Sequence, residues 1–158
     1  MKFHSFILLT FWLLSCNTQK ESNKHTELID EKKLMIQLKK TPCYGECPIF
    51  VFQIYSDYTV IFKGIRFVDM VGTYQGSISE KQYVNLINTF ETISFKSFDT
   101  TYKREFIADL PSIILTYDDF QIEIHEDIAP KELSSITASL EDLYKSIEWI
   151  KISDTIKR

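Results

Sequence analysis

Between Leu34 and Tyr74 the apolar residues come in short runs with strand-like spacing, and after Ser79 their spacing lengthens to three and four. That change of period constrains the fold more than any other feature. A period of two puts one side of a strand against a core, and a period near 3.6 does the same for a helix. Leu34, Ile36 and Leu38 alternate with Met35, Gln37 and Lys39, which predicts a strand with one apolar face. Ile49 to Tyr55 is a second strand, apolar on both faces. Ser56-Asp57 reads as a turn. Tyr58 to Phe62 and Ile65 to Tyr74 follow as two more strands, divided at Lys63-Gly64. Such short, β-branched and aromatic runs favour an antiparallel meander over βαβ units. All four glycines, at 45, 64, 72 and 76, fall in this half, which suits tight turns and bulges.

The second half alternates helix and hairpin. Ser79 with Gln82 three residues on forms a capping box. Tyr83, Leu86, Ile87 and Phe90 then make one helical stripe. Ser94 to Pro111 has no regular period. Ile113 to Tyr117 and Phe120 to His125 flank Asp118-Asp119, the pattern of a tight hairpin with one wet face. Pro130 suits the first turn of a helix whose buried stripe is Leu133, Ile136, Leu140, Leu143 and Ile147. Trp149 and Ile150 extend that packing. The expected fold class is α+β. Its element order is β-β-β-β-α-β-β-α, an antiparallel sheet of about six strands with two helices packed on one face. The other face would keep Ile49, Val51, Tyr55, Val68 and Met70. Either a partner or the Ser94–Pro111 segment is expected to cover them.

The N-terminus sets the compartment. Lys2 gives a positive start, Phe6 to Leu14 is apolar apart from Thr10, and Ser15 precedes Cys16. The apolar run is about half the roughly 20 residues a membrane span needs, so it reads as a signal peptide. Leu13-Leu14-Ser15-Cys16 resembles the lipobox of bacterial lipoproteins, with a bulkier residue than usual at Leu14. The resemblance implies cleavage before Cys16 and lipid on that cysteine. The chain then divides into a signal peptide at 1–15, a polar tether at 16–32, one domain at 33–150 and a C-terminal tail at 151–158. Without Lys2 the chain holds 17 basic and 22 acidic residues. That mildly acidic balance argues against nucleic acid and against anionic head groups. The membrane partner is therefore reached through the lipid anchor.

With Cys16 assigned to lipid, Cys43 and Cys47 remain as a pair. In an exported chain that is most simply a disulfide. Thr41 and Pro42 can start a single helical turn that sets the two cysteines on one side, about 6 Å apart. The loop is small, so the bond contributes about 2 kcal/mol. A redox pair is the second reading, although redox folds typically use C-x-x-C before a long helix. A metal site is the third, and it lacks further ligands at suitable spacing. His25 lies in the tether. His125, beside Glu123 and Glu126, reads as a solvated histidine at a strand end. Asp118, Asp119, Glu123, Glu126 and Asp127 lack the order of a calcium loop. Phosphate-cradling and nucleophile-elbow motifs are missing. No catalytic residue, metal or cofactor is expected.

Thr41-Pro42-Cys43-Tyr44-Gly45-Glu46-Cys47-Pro48 resembles the opening motif of the domain of unknown function 6438 family. The likeness continues through Asp57, Gly72, Phe95, Tyr102 and Asp109-Leu110-Pro111, and covers roughly residues 34–125. That family's pattern has Gly after the position of Asp57, where this chain has Tyr58. It has Thr before the position of Asp109, where this chain has Ala108. The resemblance implies occurrence in exported bacterial proteins and no particular activity. The leading expectation is a non-enzymatic lipoprotein domain of the cell envelope, held at the outer membrane, that binds or scaffolds an envelope protein at its sheet face. The alternative is a thiol-redox or metal-binding protein using Cys43 and Cys47, with Tyr102 and Asp109 as a nearby polar site.

Overall fold

The computed structural model describes residues 32–105 and 110–154. The signal peptide, Cys16 and nearly all of the tether lie outside the described residues. Among those described, no helix is long and apolar enough to cross a membrane. Eight strands form one open sheet: β1 (Leu34–Lys40), β2 (Ile49–Tyr55), β3 (Thr59–Arg66), β4 (Gly72–Ser77), β5 (Thr101–Tyr102), β6 (Ile113–Tyr117), β7 (Phe120–Ile124) and β8 (Ile150–Ser153). Their spatial order is β5-β7-β6-β1-β2-β3-β4-β8. Two helices, α1 (Glu80–Thr92) and α2 (Lys131–Ser146), complete the α+β fold.

Cross-strand partners share a face, so the register assigns each side chain. Ile36 lies opposite Ile54 and Tyr117, and Leu38 opposite Phe52 and Leu115. Phe52 continues to Phe62, and Leu115 to Ile122. These side chains are all buried, and both helices pack on this face. The Phe90 ring of α1 stacks on Tyr117 at 4.8 Å. Tyr144 of α2 lies 5.1 Å from both Phe50 and Phe62. The expected caps and stripes explain the helices. Gln82 Oε1 accepts from Ser79 N at 2.9 Å, and Gln82 N donates back to Ser79 Oγ at 3.3 Å. Leu133, Ile136 and Leu140 are buried along α2.

Four expectations need correction. The sheet has eight strands rather than about six, because β5 and β8 add short edges. It is mixed, since β5 runs parallel to β7. β3 also runs straight through Lys63-Gly64, and the chain turns at residues 67–71 instead. Gly64 is there for space: a Cβ on it would sit 1.7 Å from the Met70 carbonyl oxygen. Val68 and Met70 therefore belong to a turn packed against the core. Finally, residues 151–153, read as tail, form most of β8.

The β2–β3 turn shows what its departure from the family pattern entails. Tyr58 has φ +64°, a left-handed conformation that favours glycine. This chain holds a tyrosine there, and its ring meets Tyr83 of α1 edge-on at 5.1 Å.

Candidate functional site

The sheet has two ends. The chain enters at Lys32 and Lys33, beside the β2–β3 turn at Asp57 and the β6–β7 turn at Asp118. The opposite end carries the 41–48 loop, the 67–71 turn and the start of β6, because Lys40 pairs with Phe50 and Ile113, and Ile49 with Arg66.

At this loop end Thr41 does the fastening. Its N–H donates to Ser112 O at 3.0 Å. Its hydroxyl accepts from Ser112 N at 2.8 Å and donates to Ser112 O at 3.1 Å. Ser112 is itself buried, and its hydroxyl helps hold the Glu123 carboxyl below the usual range. Thr41 and Leu110-Pro111, distant in the family-like motif, thus converge on one joint. Cys43 and Cys47 are bonded, with Cα atoms 5.9 Å apart. The expected pairing and spacing hold, but the loop is a bend rather than a helical turn. Thr41's hydroxyl is engaged by Ser112 instead of capping a helix.

The bond leaves Tyr44 in water, 93% exposed. Ile65, Phe67 and Val71 are exposed at the same end, so half of the eight large exposed apolar side chains among the described residues gather there. Arg66 lies over the Phe67 ring at 4.5 Å. Beside them a cleft of about 590 Å³ opens between the 67–71 turn and the end of α2, lined by Pro48, Phe67, Met70, Tyr144 and Trp149. A larger cleft of about 750 Å³ lies between the start of α1 and β8, away from the loop. Its walls mix Gln75, Ser77 and Gln82 with Ile147 and Ile150.

The face of the sheet away from the helices carries Val51, Tyr55, Ile61 and Ile114, all half-buried, among Gln37, Gln53 and Thr116. Gln53 Nε2 donates to Gln37 Oε1 at 3.0 Å across the strands. The Thr116 hydroxyl on this face is shielded from water and makes no hydrogen bond. The described part of the Ser94–Pro111 segment meets this face at its β7 edge, where Lys103 pairs at 3.1 Å with Glu123, the cross-strand neighbour of Ile114. Phe95 packs on the helical side, 4.9 Å from Phe90.

The entry end is a charge cluster that the sequence did not reveal. Lys33 and Lys96 both pair with Asp118, the latter at 2.7 Å. Hydrogen bonds from Lys33 and then Lys96 hold the Asp118 carboxyl down at about 2. The Tyr117 hydroxyl donates to Glu91. Burial, and then that carboxylate, push the phenol well above its ordinary range.

His125 is the clearest misreading. It is 3% exposed rather than solvated, because β5 covers it at the sheet edge. Its Nδ1 accepts from Arg104 N at 3.1 Å, which leaves the neutral ring's proton on Nε2. Tyr102 pairs with Ile124 through the backbone, and its hydroxyl accepts from Asp99 N at 3.1 Å. Asp109, its expected companion, lies outside the described residues. Among the described residues no group of three or more His, Cys, Asp or Glu side chains converges on a point.

The profile of a domain of unknown function, DUF6438, matches residues 34–150, most of the chain. The chain belongs to the DUF6438 family. Comparison with curated proteins and with solved structures returned no match. Within the DUF6438 domain, the Thr41–Ser112 joint and the Cys43–Cys47 bond give the opening motif its physical sense: together they build and brace one loop.

Proposed function

We propose that this DUF6438 chain is a lipid-anchored protein of the cell envelope whose domain binds another envelope component through the loop end of its sheet. Tyr44 carries the reading. A large aromatic held 93% exposed on a braced loop loses little freedom on binding, and such residues supply much of the energy of interfaces. The cleft at the same end, where Phe67, Met70 and Trp149 stand with Asp69 and Lys145, gives a partner side chain somewhere to go. Cys16 carries the anchor, at the outer membrane. The domain joins the tether at the entry end, which leaves the loop end at the far side of the sheet from the tether. A tether of residues 17–32 spans at most about 55 Å when extended.

A second surface is favoured by the half-buried apolar side chains of Val51, Tyr55, Ile61 and Ile114 on the side of the sheet away from the helices. The open sheet face, with Val51 and Tyr55, suits a flatter polar partner.

Both parts are testable in cells. Radiolabelled palmitate should enter the wild type and be lost in Cys16→Ser, which should leave the membrane fraction. A photo-crosslinking residue at position 44 should give a discrete adduct. The same residue at position 84, exposed on α1, should not. Equal labelling at both positions, or none at either, would remove the loop-end reading. An adduct at position 51 alone would move the site to the open face.

A further inference from the structure

The Cys43–Cys47 bond looks at first like a staple for a small domain, but the structure gives the stapling to other groups. The stem before the loop is held by the three Thr41–Ser112 hydrogen bonds and by β6 on its far side. The stem after it is held by β2 pairing with β1 and β3 up to Phe50 and Ile49. Neither cysteine is part of the buried core, and both are half-exposed. Inside the loop Gly45 N donates to Cys43 Sγ at 3.2 Å, a bond that itself depends on where the sulfur is held.

We infer that the bond is a redox-addressed latch on the loop rather than a support of the fold: oxidised, it fixes residues 42–48 and the placement of Tyr44, and reduced, it releases them from an otherwise intact domain. A dithiol supplies the two electrons and two protons that turn the bond into two thiols, and closes to its own disulfide. A protein disulfide reverses the exchange. Control over a partner held at Tyr44 rests on the binding role proposed above. The mechanical claim does not, and it is tested without any partner.

The thermodynamic signature separates latch from staple. A cross-link stabilises by restricting the unfolded chain, provided the native loop stays ordered without it. For a loop this short, that should raise Tm by about 8 °C in a domain of this size. If the native loop relaxes on reduction, both states regain the freedom and most of that gain cancels. Dithiothreitol treatment of the whole protein, and separately the Cys43→Ser/Cys47→Ser variant, should therefore lower Tm by less than about 4 °C, half the full effect. The Gly45 amide, which donates to Cys43 Sγ, should exchange at least about tenfold faster, while those of β1, β2 and β6 keep their protection. A larger loss of Tm, or loop exchange that does not change, would show a structural staple and overturn the inference.

Discussion

The two ends of the sheet are fastened by different physics. At the entry end the fastenings are charges: Lys32 with Asp57, and Lys33 and Lys96 with Asp118. At the loop end one ion pair, Lys40 with Glu141, is joined by the hydrogen bonds of the Thr41 amide and hydroxyl to the Ser112 backbone, a glycine contact and a covalent bond. Half-exposed ion pairs are screened by salt and removed by acid. Hydrogen bonds between uncharged groups and steric fits are far less sensitive to both. The end expected to carry the partner therefore depends less on salt and acidity, and its loop answers to the redox state of the Cys43–Cys47 bond instead. The end that meets the tether relies on softer contacts.

Gly64 gives that comparison its hardest test. Adding a Cβ places it 1.7 Å from a backbone oxygen, so the 67–71 turn must move. We expect Gly64→Ala to cost about 3 kcal/mol, read by urea unfolding, and to leave helical content unchanged. A neutral result would mean that the turn is not locked against β3. Thr41→Val comes next. It keeps the shape and removes the hydroxyl, leaving the buried Ser112 N–H without its acceptor. The expected loss is about 2 kcal/mol, the same in low and high salt. A loss that shrinks in 1 M salt would contradict the division between the ends.

Local chemistry was legible in the sequence, and its long-range uses were not. The Ser79–Gln82 cap, the Asp118-Asp119 hairpin and the Cys43–Cys47 pairing involve residues within four positions of each other, so spacing alone exposes them. Gly64 was read as a turn because a glycine signals turns and close contacts alike, and only the path of Met70 tells them apart. β5 and β8 are short strands at the sheet edges. Their sequences carry little alternation, and their conformation comes from the neighbours they pair with. His125 reads as wet because its covering strand lies 23 and 24 residues earlier, in an irregular stretch. Tyr44 did leave a signal: an aromatic residue beside Gly45 in a loop too small to bury it.

Acid sharpens the entry end. The carboxyl of Asp118 is held at about 2 in the folded state, below the roughly 3.9 expected unfolded. The stabilisation from its ionised form is therefore complete above pH 4 and fades as pH falls from 4 towards 2. Asp118 also has φ +55°, a conformation that Asn tolerates as well as Asp, so Asp118→Asn removes charge without backbone strain. Urea midpoints of this variant should lie slightly below wild type at pH 7 and converge with it by pH 2. High salt should narrow the gap at pH 7. A gap that persists at pH 2 would assign the loss to packing instead.

Tyr44→Ala should change stability least of all, by under about 0.5 kcal/mol, because a side chain 93% exposed has almost no packing to lose. That small number is what makes the variant decisive. Gly64→Ala and Thr41→Val alter the loop end by disturbing its supports, so a loss of function in either has two explanations. Tyr44→Ala leaves the Thr41–Ser112 joint, the disulfide and both stems in place and removes only the exposed ring. If the loop end is a contact surface, a partner identified by crosslinking through the 67–71 turn should bind this variant at least about tenfold more weakly, the loss expected of a central aromatic anchor. Unchanged Tm with unchanged binding would mean that the braced loop displays a residue the partner does not use. The open sheet face would then be the surface to pursue.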